Sequence, residues 1–194
     1  MIKREILARL YLDERKSMQE IGDVLGYSLH TVSYWMKKHG ISTRSRSEAI
    51  YAKRNPDGDP FSFKLPGAFE EIRLLGIGIG LYWGEGNKVD PNSIRLGNTD
   101  PELIRLFIEF LVVIFKIKRE KLKFGLQVFS DIDPDSALDF WTKKLNIQRS
   151  QVNKPVVTIS GSLGTYRKKS QYGVLTVMCH NKKLRDLLIS LLPM

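Results

Sequence analysis

The sequence predicts an α+β protein made of a small three-helix part followed by a larger mixed α/β part. In the first forty positions, apolar residues recur at helical spacing between polar caps. After about residue 67, helical periodicity alternates with segments of period two, which is typical of strands. Residues 42–66 lack periodicity and are rich in Ser, Arg, Asn, Pro, Asp and Gly, which predicts a linker. The predicted domains are therefore 1–41 and 67–194.

The composition limits which binding partners and which cellular compartment are expected for this protein. The chain has 194 residues and a formal net charge of +10, so a polyanion is the first partner to consider. A single cysteine, Cys179, excludes an internal disulfide, and with only three histidines there is no plausible zinc ligand set. Charged residues interrupt the apolar ones at the N-terminus, which argues against a signal region, and together these features predict a cytoplasmic protein.

The N-terminal part reads as three helices with clear ends. The first has its apolar residues at Ile2, Ile6, Leu7, Leu10 and Tyr11. Ser17-Met18-Gln19-Glu20 has the pattern of a capping box, which starts a second helix at Met18 that Gly26 ends. Ser28 caps a third helix, Leu29 to His39, which Gly40 ends. On that helix Val32, Trp35 and Met36 are expected to face inward.

The string SMQEIGDVLGYSLHTV resembles a helix-turn-helix of the resolvase-like or homing-endonuclease-associated type, over about residues 3–41. The resemblance implies that the third helix lies in the major groove of double-stranded DNA. The side chains expected nearest the base edges are His30, Thr31, Ser33 and Tyr34, and those nearest phosphates are Lys37 and Lys38. In the following segment, Arg44 and Arg46 are further candidates for phosphate contact.

The alternative for this part is a helical bundle that binds protein, with the same polar residues forming a solvated face. From Met1 to Arg54 there are eleven Lys or Arg and six Asp or Glu. This positive balance on a small surface favours DNA as the partner.

A glycine-rich apolar segment from Leu74 to Lys88 is the most unusual feature of the larger part. As a helix, it places Gly76, Gly80 and Gly84 on one face, at a cost of about 1 kcal/mol for each interior glycine. A face without side chains allows a second backbone to approach closely, which predicts a dimer interface. Gly86 is expected to end the helix in the left-handed conformation, which places Glu85 in the last turn. A carboxylate there is unfavourable unless a cation binds.

The string GIGLYWGEG, residues 78–86, resembles the LAGLIDADG motif of homing endonucleases and matches it at Gly80, Leu81, Glu85 and Gly86, with Glu in place of the commoner Asp. In that family two such helices pack at a two-fold interface, and each ends in a metal-binding acid. The resemblance implies a homodimer with a metal site at Glu85 and Gly84 that takes Mg²⁺ or Mn²⁺. It also implies a lysine and a glutamine that assist water activation; Gln127, Lys123 and Lys88 are candidates by residue type.

The pattern of this segment disfavours two of three other interpretations. It is far shorter than the roughly 20 apolar residues of a membrane span. No strand precedes it and the third glycine of a dinucleotide-binding loop is missing. A tightly packed structural helix with a solvated Glu85 stays open.

The remaining elements alternate between strand and helix. Strands are predicted at Ser93–Asn98, Leu122–Ser130, Val156–Ser160 and Val174–Cys179, and helices begin at Pro101, Pro134 and Lys182. The LAGLIDADG order is helix, two strands, helix, two strands, helix; here the first hairpin is shortened near Val89-Asp90-Pro91, and the helix from Pro134 is additional. The last two strands are expected to form a hairpin whose loop contacts DNA through Tyr166, Arg167, Lys168 and Lys169.

Two functions follow from these resemblances. The first is a homodimeric, Mg²⁺-dependent, site-specific DNA endonuclease with an accessory helix-turn-helix. The second is a non-catalytic DNA-binding regulator that uses the LAGLIDADG-like fold for dimerisation and docking. Glu85 favours the first, because a regulator needs no acid at an electrostatically poor position.

Overall fold

A computed structural model describes residues 1–159 and 171–193 of the chain. Its described part contains helices and a four-stranded mixed sheet, which confirms the predicted α+β class. The chain forms two compact units, Met1–Pro60 and Phe61–Met194. Each unit has its own hydrophobic core.

The N-terminal unit consists of four helices. Helix α1 (Arg4–Ala8) continues into a π-helical turn (Arg9–Asp13), and α2 (Met18–Leu25), α3 (Leu29–Lys38) and α4 (Arg46–Arg54) follow. The predicted capping box at the start of α2 is confirmed, because the Ser17 amide donates to Glu20 Oε2 at 2.7 Å and the Glu20 amide donates to Ser17 Oγ at 3.2 Å. The core of the unit is formed by Ile2, Leu7, Leu10, Tyr11, Ile21, Val32, Met36 and Ile41.

Two glycines shape the turn between α2 and α3. Gly26 ends α2 in the left-handed conformation, with φ 70°, which glycine adopts without steric cost. Gly22 lies where α2 meets the turn, and a Cβ there would be only 2.5 Å from the carbonyl oxygen of Tyr27. The two residues therefore let α3 follow α2 closely, as a helix-turn-helix requires.

The segment predicted as an irregular linker contains a nine-residue helix, α4. Its start is a second capping box, in which the Ser45 amide donates to Glu48 Oε2 at 2.7 Å. None of its residues is buried. Hydrophobic periodicity is therefore not the signal for this helix; the local capping chemistry and helix-forming residues specify it instead.

The C-terminal unit follows the predicted order of elements. Its helices are α5 (Phe69–Glu85), α6 (Pro101–Ile114), α7 (Pro134–Leu145) and α8 (Lys182–Ser190), and its strands are β1 (Ile94–Asn98), β2 (Lys123–Phe129), β3 (Val156–Thr158) and β4 (Val174–Cys179). Short 3₁₀ turns lie at Arg119–Lys121 and Arg149–Gln151. No helix in the described part of the chain is long and apolar enough to cross a membrane.

The strands are ordered β1-β4-β2-β3 in the sheet. β4 pairs antiparallel with both β1 and β2, whereas β3 pairs parallel with β2. One face of the sheet is buried in the core, through Ile94, Leu96, Phe124, Leu126, Val128, Leu175 and Val177. Helix α6 packs into the same core through Ile104, Phe107, Ile108, Phe110, Leu111 and Ile114.

The predicted hairpin between the last two strands is wrong. β3 lies at the outer edge beside β2, while β4 lies between β1 and β2, so the two strands are not neighbours. The reason is α7, which connects β2 to β3 and allows the parallel pairing that a tight turn does not. The loop residues proposed for DNA contact, Tyr166, Arg167, Lys168 and Lys169, lie outside the described residues.

Candidate functional site

Helix α5 packs on the core through a glycine that the sequence pattern did not single out. A Cβ added at Gly78 would overlap the ring of Phe110 on α6, so α5 and α6 approach closely at this point. Gly76, Gly80 and Gly84 lie on a different side of the helix. A Cβ at any of these three would meet nothing within 4 Å in the described chain. Packing within the unit therefore explains Gly78 and leaves the predicted glycine stripe uncovered.

Large apolar side chains share that uncovered side. At about 100° per residue, Phe69, Ile72 and Trp83 fall within about 120° of arc together with the three glycines. Their exposures are 75%, 49% and 56%, respectively. Trp83 is thus part of this surface, whereas Leu75 and Ile79 on the neighbouring side of the helix are partly buried. We call Phe69, Ile72, Gly76, Gly80, Trp83 and Gly84 the glycine face. The exposed Arg73, which pairs with Glu70 at 2.8 Å, lies in the same arc.

The end of α5 differs from the expectation for Gly86. This residue has φ −73° and ψ 145°, so it is extended rather than left-handed. It is glycine because a Cβ would overlap the ring of Tyr82, which is completely buried. The Tyr82 hydroxyl donates to the carbonyl of Asn87 at 2.9 Å, and burial raises the pKa of Tyr82. Gly86 then forms an antiparallel bridge with Leu96, so α5 leads directly into the edge of the sheet.

Glu85 is the last residue of α5 and its side chain is exposed. It forms no hydrogen bond or ion pair with any residue that the structure describes. Lys88 lies beside it, and its Nζ donates to the carbonyl of Trp83 at 2.5 Å. A cation at a helix C-terminus is favourable, so Lys88 offsets part of the unfavourable field that Glu85 meets there.

The loop after Glu85 is held by a dense set of hydrogen bonds. Asn87 Oδ1 accepts from the amides of Val89 at 2.9 Å and Asp90 at 3.1 Å. Asp90 accepts from the Asn92 amide and the Ser93 hydroxyl, which lower its pKa, and it pairs with Arg95 at 3.0 Å. From α8, Arg185 Nη2 donates to the carbonyl of Lys88 at 2.6 Å. The shortened hairpin expected here is therefore a single bridge followed by an ordered loop.

The face of the sheet opposite the core carries Lys123 and Gln127 of β2, both exposed. In the sheet register, Lys123 of β2 pairs with Met178 of β4, which pairs with Arg95 of β1. Two residues further along β2, Gly125 pairs with Thr176, which pairs with Gly97. We call this surface the polar face of the sheet. Arg95 is not among the site residues predicted from sequence. Because Ile94 and Leu96 alternate toward the core, the strand pattern already places Arg95 on the opposite face of the sheet.

The candidate catalytic residues do not come together in one chain. The Gly86–Leu96 bridge places Glu85 level with Gly97, whereas β2 is three strand spacings from the Gly86 segment. Ideal spacings of about 4.8 Å between strands and 3.3 Å per residue put the backbone of Glu85 about 16 Å from the backbones of Lys123 and Gln127. Lys123 Nζ lies 3.3 Å from the Ser150 carbonyl, and Gln127 Nε2 donates to Thr158 Oγ1 at 3.0 Å. Of the three residues expected to assist water activation, only Lys88 lies near Glu85.

The donor set around Glu85 is small for a metal ion. Among the described residues there is no group of three His, Cys, Asp or Glu side chains that could hold one. Mg²⁺ takes six oxygen ligands, and Glu85 with the neighbouring Gly84 supplies too few of them. A site here needs oxygens from a second chain, from water and from the bound phosphates.

Helix α3 presents its predicted outer residues to solvent. His30, Ser33, Tyr34, Lys37 and Lys38 are exposed, and Thr31 is partly exposed. The hydroxyl of Thr31 hydrogen bonds with that of Ser28 at 2.9 Å, which directs it to the helix cap. Val32 and Met36 are buried as predicted, while Trp35 is partly buried beneath Lys38, whose Nζ is 4.8 Å from the ring centroid.

Arg44 has a structural position in the N-terminal unit. Its guanidinium donates to the carbonyls of Tyr11, Arg15 and Lys16, and it lies 4.1 Å from the centroid of the Tyr11 ring. Its amide also donates to the Tyr11 hydroxyl at 2.7 Å. These contacts satisfy one carbonyl of the π-helical turn and two carbonyls of the turn before α2, and they direct Arg44 away from the phosphate contact expected from sequence.

Replacing Arg44 with alanine is expected to destabilise the N-terminal unit by about 3 kcal/mol, because hydrogen bonds to a charged group contribute about 1.5–3 kcal/mol each. Arg44→Lys should not restore stability, since an ammonium cannot span three carbonyls. Amide exchange over residues 1–60 should show about 100-fold lower protection of the slowest amides. Arg46→Ala is the control, because Arg46 is exposed and forms no hydrogen bond or ion pair with described residues. Equal protection in both variants would contradict the structural role.

No family model, curated protein or solved structure matches this chain. Its function is therefore inferred from its own residues and their geometry.

Proposed function

We propose that the protein is a homodimeric, site-specific DNA endonuclease of the LAGLIDADG type that hydrolyses phosphodiester bonds with Mg²⁺ or Mn²⁺. The observation that carries the proposal is the uncovered glycine face of α5, which ends in the exposed Glu85. One surface thus combines a feature suited to self-association with an acid at the end of the helix.

A second copy of the chain is the partner that suits the glycine face. Phe69, Ile72 and Trp83 expose apolar area that water solvates poorly, and the glycines between them allow a close helix approach. A two-fold contact uses the same patch on both subunits. With the two-fold axis along the helices, both C-terminal ends meet, and two Glu85 side chains converge.

The order of elements supports the same family. When the Gly86–Leu96 bridge is taken as a remnant of a first strand, and α7 and β3 as an insertion, the order is helix, two strands, helix, two strands, helix. This is the LAGLIDADG order. The shortened first hairpin and the additional helix α7 were expected from the sequence, whereas β3 was expected to pair with β4.

The chemistry assigned to the site is metal-assisted hydrolysis. Carboxylate oxygens of two Glu85 residues, with Gly84 beside each, would hold a hard divalent cation. Such an ion, when bound, polarises a phosphoryl oxygen and lowers the pKa of a coordinated water. Lys88 keeps the end of α5 in place through the Trp83 carbonyl. Lys123, Gln127 and Arg95 on the polar face of the sheet are suited to contacts with the DNA backbone.

The N-terminal unit supplies a second DNA contact in this proposal. The exposed face of α3 carries His30, Ser33 and Tyr34 toward base edges and Lys37 toward phosphates. The hydroxyl of Thr31 is bonded to Ser28, so Thr31 contributes less to base reading than the sequence predicts. A two-fold dimer would place two such units on a near-palindromic site.

Incubation of the native protein with Mg²⁺ and a randomised duplex library tests the proposal. Specific cleavage at an enriched sequence is the expected result. Selective retention of a sequence without strand breaks would overturn the nuclease.

The dimer is tested separately by Gly80→Leu. We expect light scattering to give twice the 22.3 kDa chain mass for the native protein and the single chain mass for the variant. The leucine fills the closest approach between helices, whereas within one chain its Cβ meets nothing within 4 Å, so the variant should stay folded. A variant that keeps the native dimer mass would contradict an interface at the glycine face.

A DNA-binding regulator is the second candidate, and the spacing of the site favours it. The backbone of Glu85 is about 16 Å from the backbones of Lys123 and Gln127, and no described residue of the same chain pairs with Glu85. In this alternative the C-terminal unit dimerises and docks on DNA without cleaving it. Retention of a specific duplex, together with intact strands, distinguishes it from the endonuclease.

A further inference from the structure

The exposed side of α4 carries three cations. On a helical projection, Arg46, Lys53 and Arg54 fall within about 100° of arc, and Ile50 lies between them, 47% exposed. Tyr51, Ala52 and Asn55 are partly buried and lie on the opposite side. Arg46 and Arg54 form no ion pair or hydrogen bond with the residues that the structure describes. Arg46 and Arg54 therefore present positive charge to solvent without a partner among the described residues.

The N-terminal end of α4 is attached to the turn that precedes α2. Just before the helix, Arg44 donates to the carbonyls of Arg15 and Lys16. These hydrogen bonds hold the start of α4 beside the start of α2, so this helix is not part of a flexible linker.

The pKa of Glu20, in the first turn of α2, agrees with the position of α4 beside this turn. Hydrogen bonds with Ser17 hold the pKa of Glu20 below its usual value, and the charges of Lys16 and Lys53 add to that effect. Lys53 is therefore near the first turn of α2. In a helix-turn-helix docked on DNA, the helix before the recognition helix crosses the phosphate backbone.

We propose that α4 is a phosphate-binding element that extends the helix-turn-helix footprint along the DNA backbone, with Arg46 and Arg54 as its principal contacts. The inference rests on the proposed DNA binding by the N-terminal unit and adds a surface that the helix-turn-helix does not include. The contacts are to phosphates, so they raise affinity and define the length of DNA covered without reading sequence. Ile50 is exposed between these cations.

Salt dependence measures this element directly. The logarithm of the binding constant for duplex DNA falls with the logarithm of salt concentration, with a slope of about −0.9 for each neutralised phosphate. We compare the native chain with Arg46→Gln/Arg54→Gln by fluorescence anisotropy on a random-sequence duplex of about 30 base pairs, between about 50 and 200 mM salt. The double variant should lose about 2 units of slope.

Two control variants distinguish the loss of local phosphate contacts at α4 from a general effect of lower net charge. Arg46→Lys/Arg54→Lys keeps both charges at the same positions and should restore the native slope. Lys143→Gln/Lys144→Gln removes the same charge from the exposed end of α7 and should leave the slope nearly unchanged. Circular dichroism confirms that each variant is folded.

The outcomes distinguish this inference from the proposed function. If the native chain binds DNA and the double glutamine variant has the same slope, the role of α4 is overturned while DNA binding stands. If the α7 variant loses as much slope as the α4 variant, the effect is one of net charge and the role of α4 is again overturned. If the native chain shows no salt-dependent binding, both the proposed function and this inference fail.

Discussion

Glu85→Gln is expected to abolish DNA cleavage while leaving dimerisation and DNA binding intact. The amide keeps the size of the side chain but loses the negative charge that a divalent cation requires. Glu85 lies at the C-terminal end of α5, where the helix dipole disfavours an acid, so the glutamine should be more stable by about 0.5 kcal/mol. Loss of activity with a gain of stability is a combination that unfolding does not produce. Cleavage rate and chemical denaturation measure the two effects.

Glu85→Asp is the matched control, because it keeps the charge and shortens the side chain by one methylene. It should retain measurable Mg²⁺-dependent cleavage where the glutamine has none. Cleavage at the native rate by the glutamine variant would contradict the assignment of Glu85 to the metal. If glutamine and native chain bind the same duplex and neither breaks it, the protein is the regulator.

Gly78→Ala is expected to destabilise the C-terminal unit by about 2 kcal/mol, although alanine is the better helix former. The added Cβ overlaps the ring of Phe110, which is completely buried and packs at 5.2 Å from Phe115 and 5.7 Å from Phe107, measured between ring centroids. The ring has no space to move into, so α5 must shift away from α6. This overpacking exceeds the propensity gain of about 1 kcal/mol.

Gly76→Ala is the control for that measurement, since its Cβ meets nothing within 4 Å in the described chain. It should stabilise the unit by up to about 1 kcal/mol through helix propensity and a less flexible unfolded chain. Both changes are best compared in the Gly80→Leu background, where the proposed dimer does not contribute to stability. Equal unfolding midpoints for the two alanine variants would show that α5 does not pack on Phe110.

The local features were predictable because they depend on neighbours in sequence. The capping box at Ser17 and the helix end at Gly26 need only residues within one turn. The alternation in β2, with Phe124, Leu126 and Val128 buried and Lys123 and Gln127 exposed, follows from the period of an extended chain. The same holds for α3, where Val32 and Met36 face the core.

The errors arose where distant residues decide a conformation. Gly86 was assigned to a left-handed turn because glycine commonly ends helices that way, whereas the ring of Tyr82 and the bridge to Leu96 select an extended one. The charge of Arg44 predicts a phosphate contact, but its guanidinium donates to three carbonyls between Tyr11 and Lys16. The hairpin of β3 and β4 failed because sheet order depends on the α7 crossover.

The candidate site likewise has some features that the sequence determined and others that only tertiary packing decided. Periodicity and caps determined that α5 is a helix with a glycine stripe, that it ends at Glu85, and that a basic helical part precedes it, because spacing and capping residues encode these features locally. Only the tertiary structure decided which glycine packs. The Phe110 ring occupies the space beside Gly78, while Gly76, Gly80 and Gly84 stay uncovered beside Phe69, Ile72 and Trp83. Burial depends on which element is the neighbour, and the sequence of one helix does not contain that information.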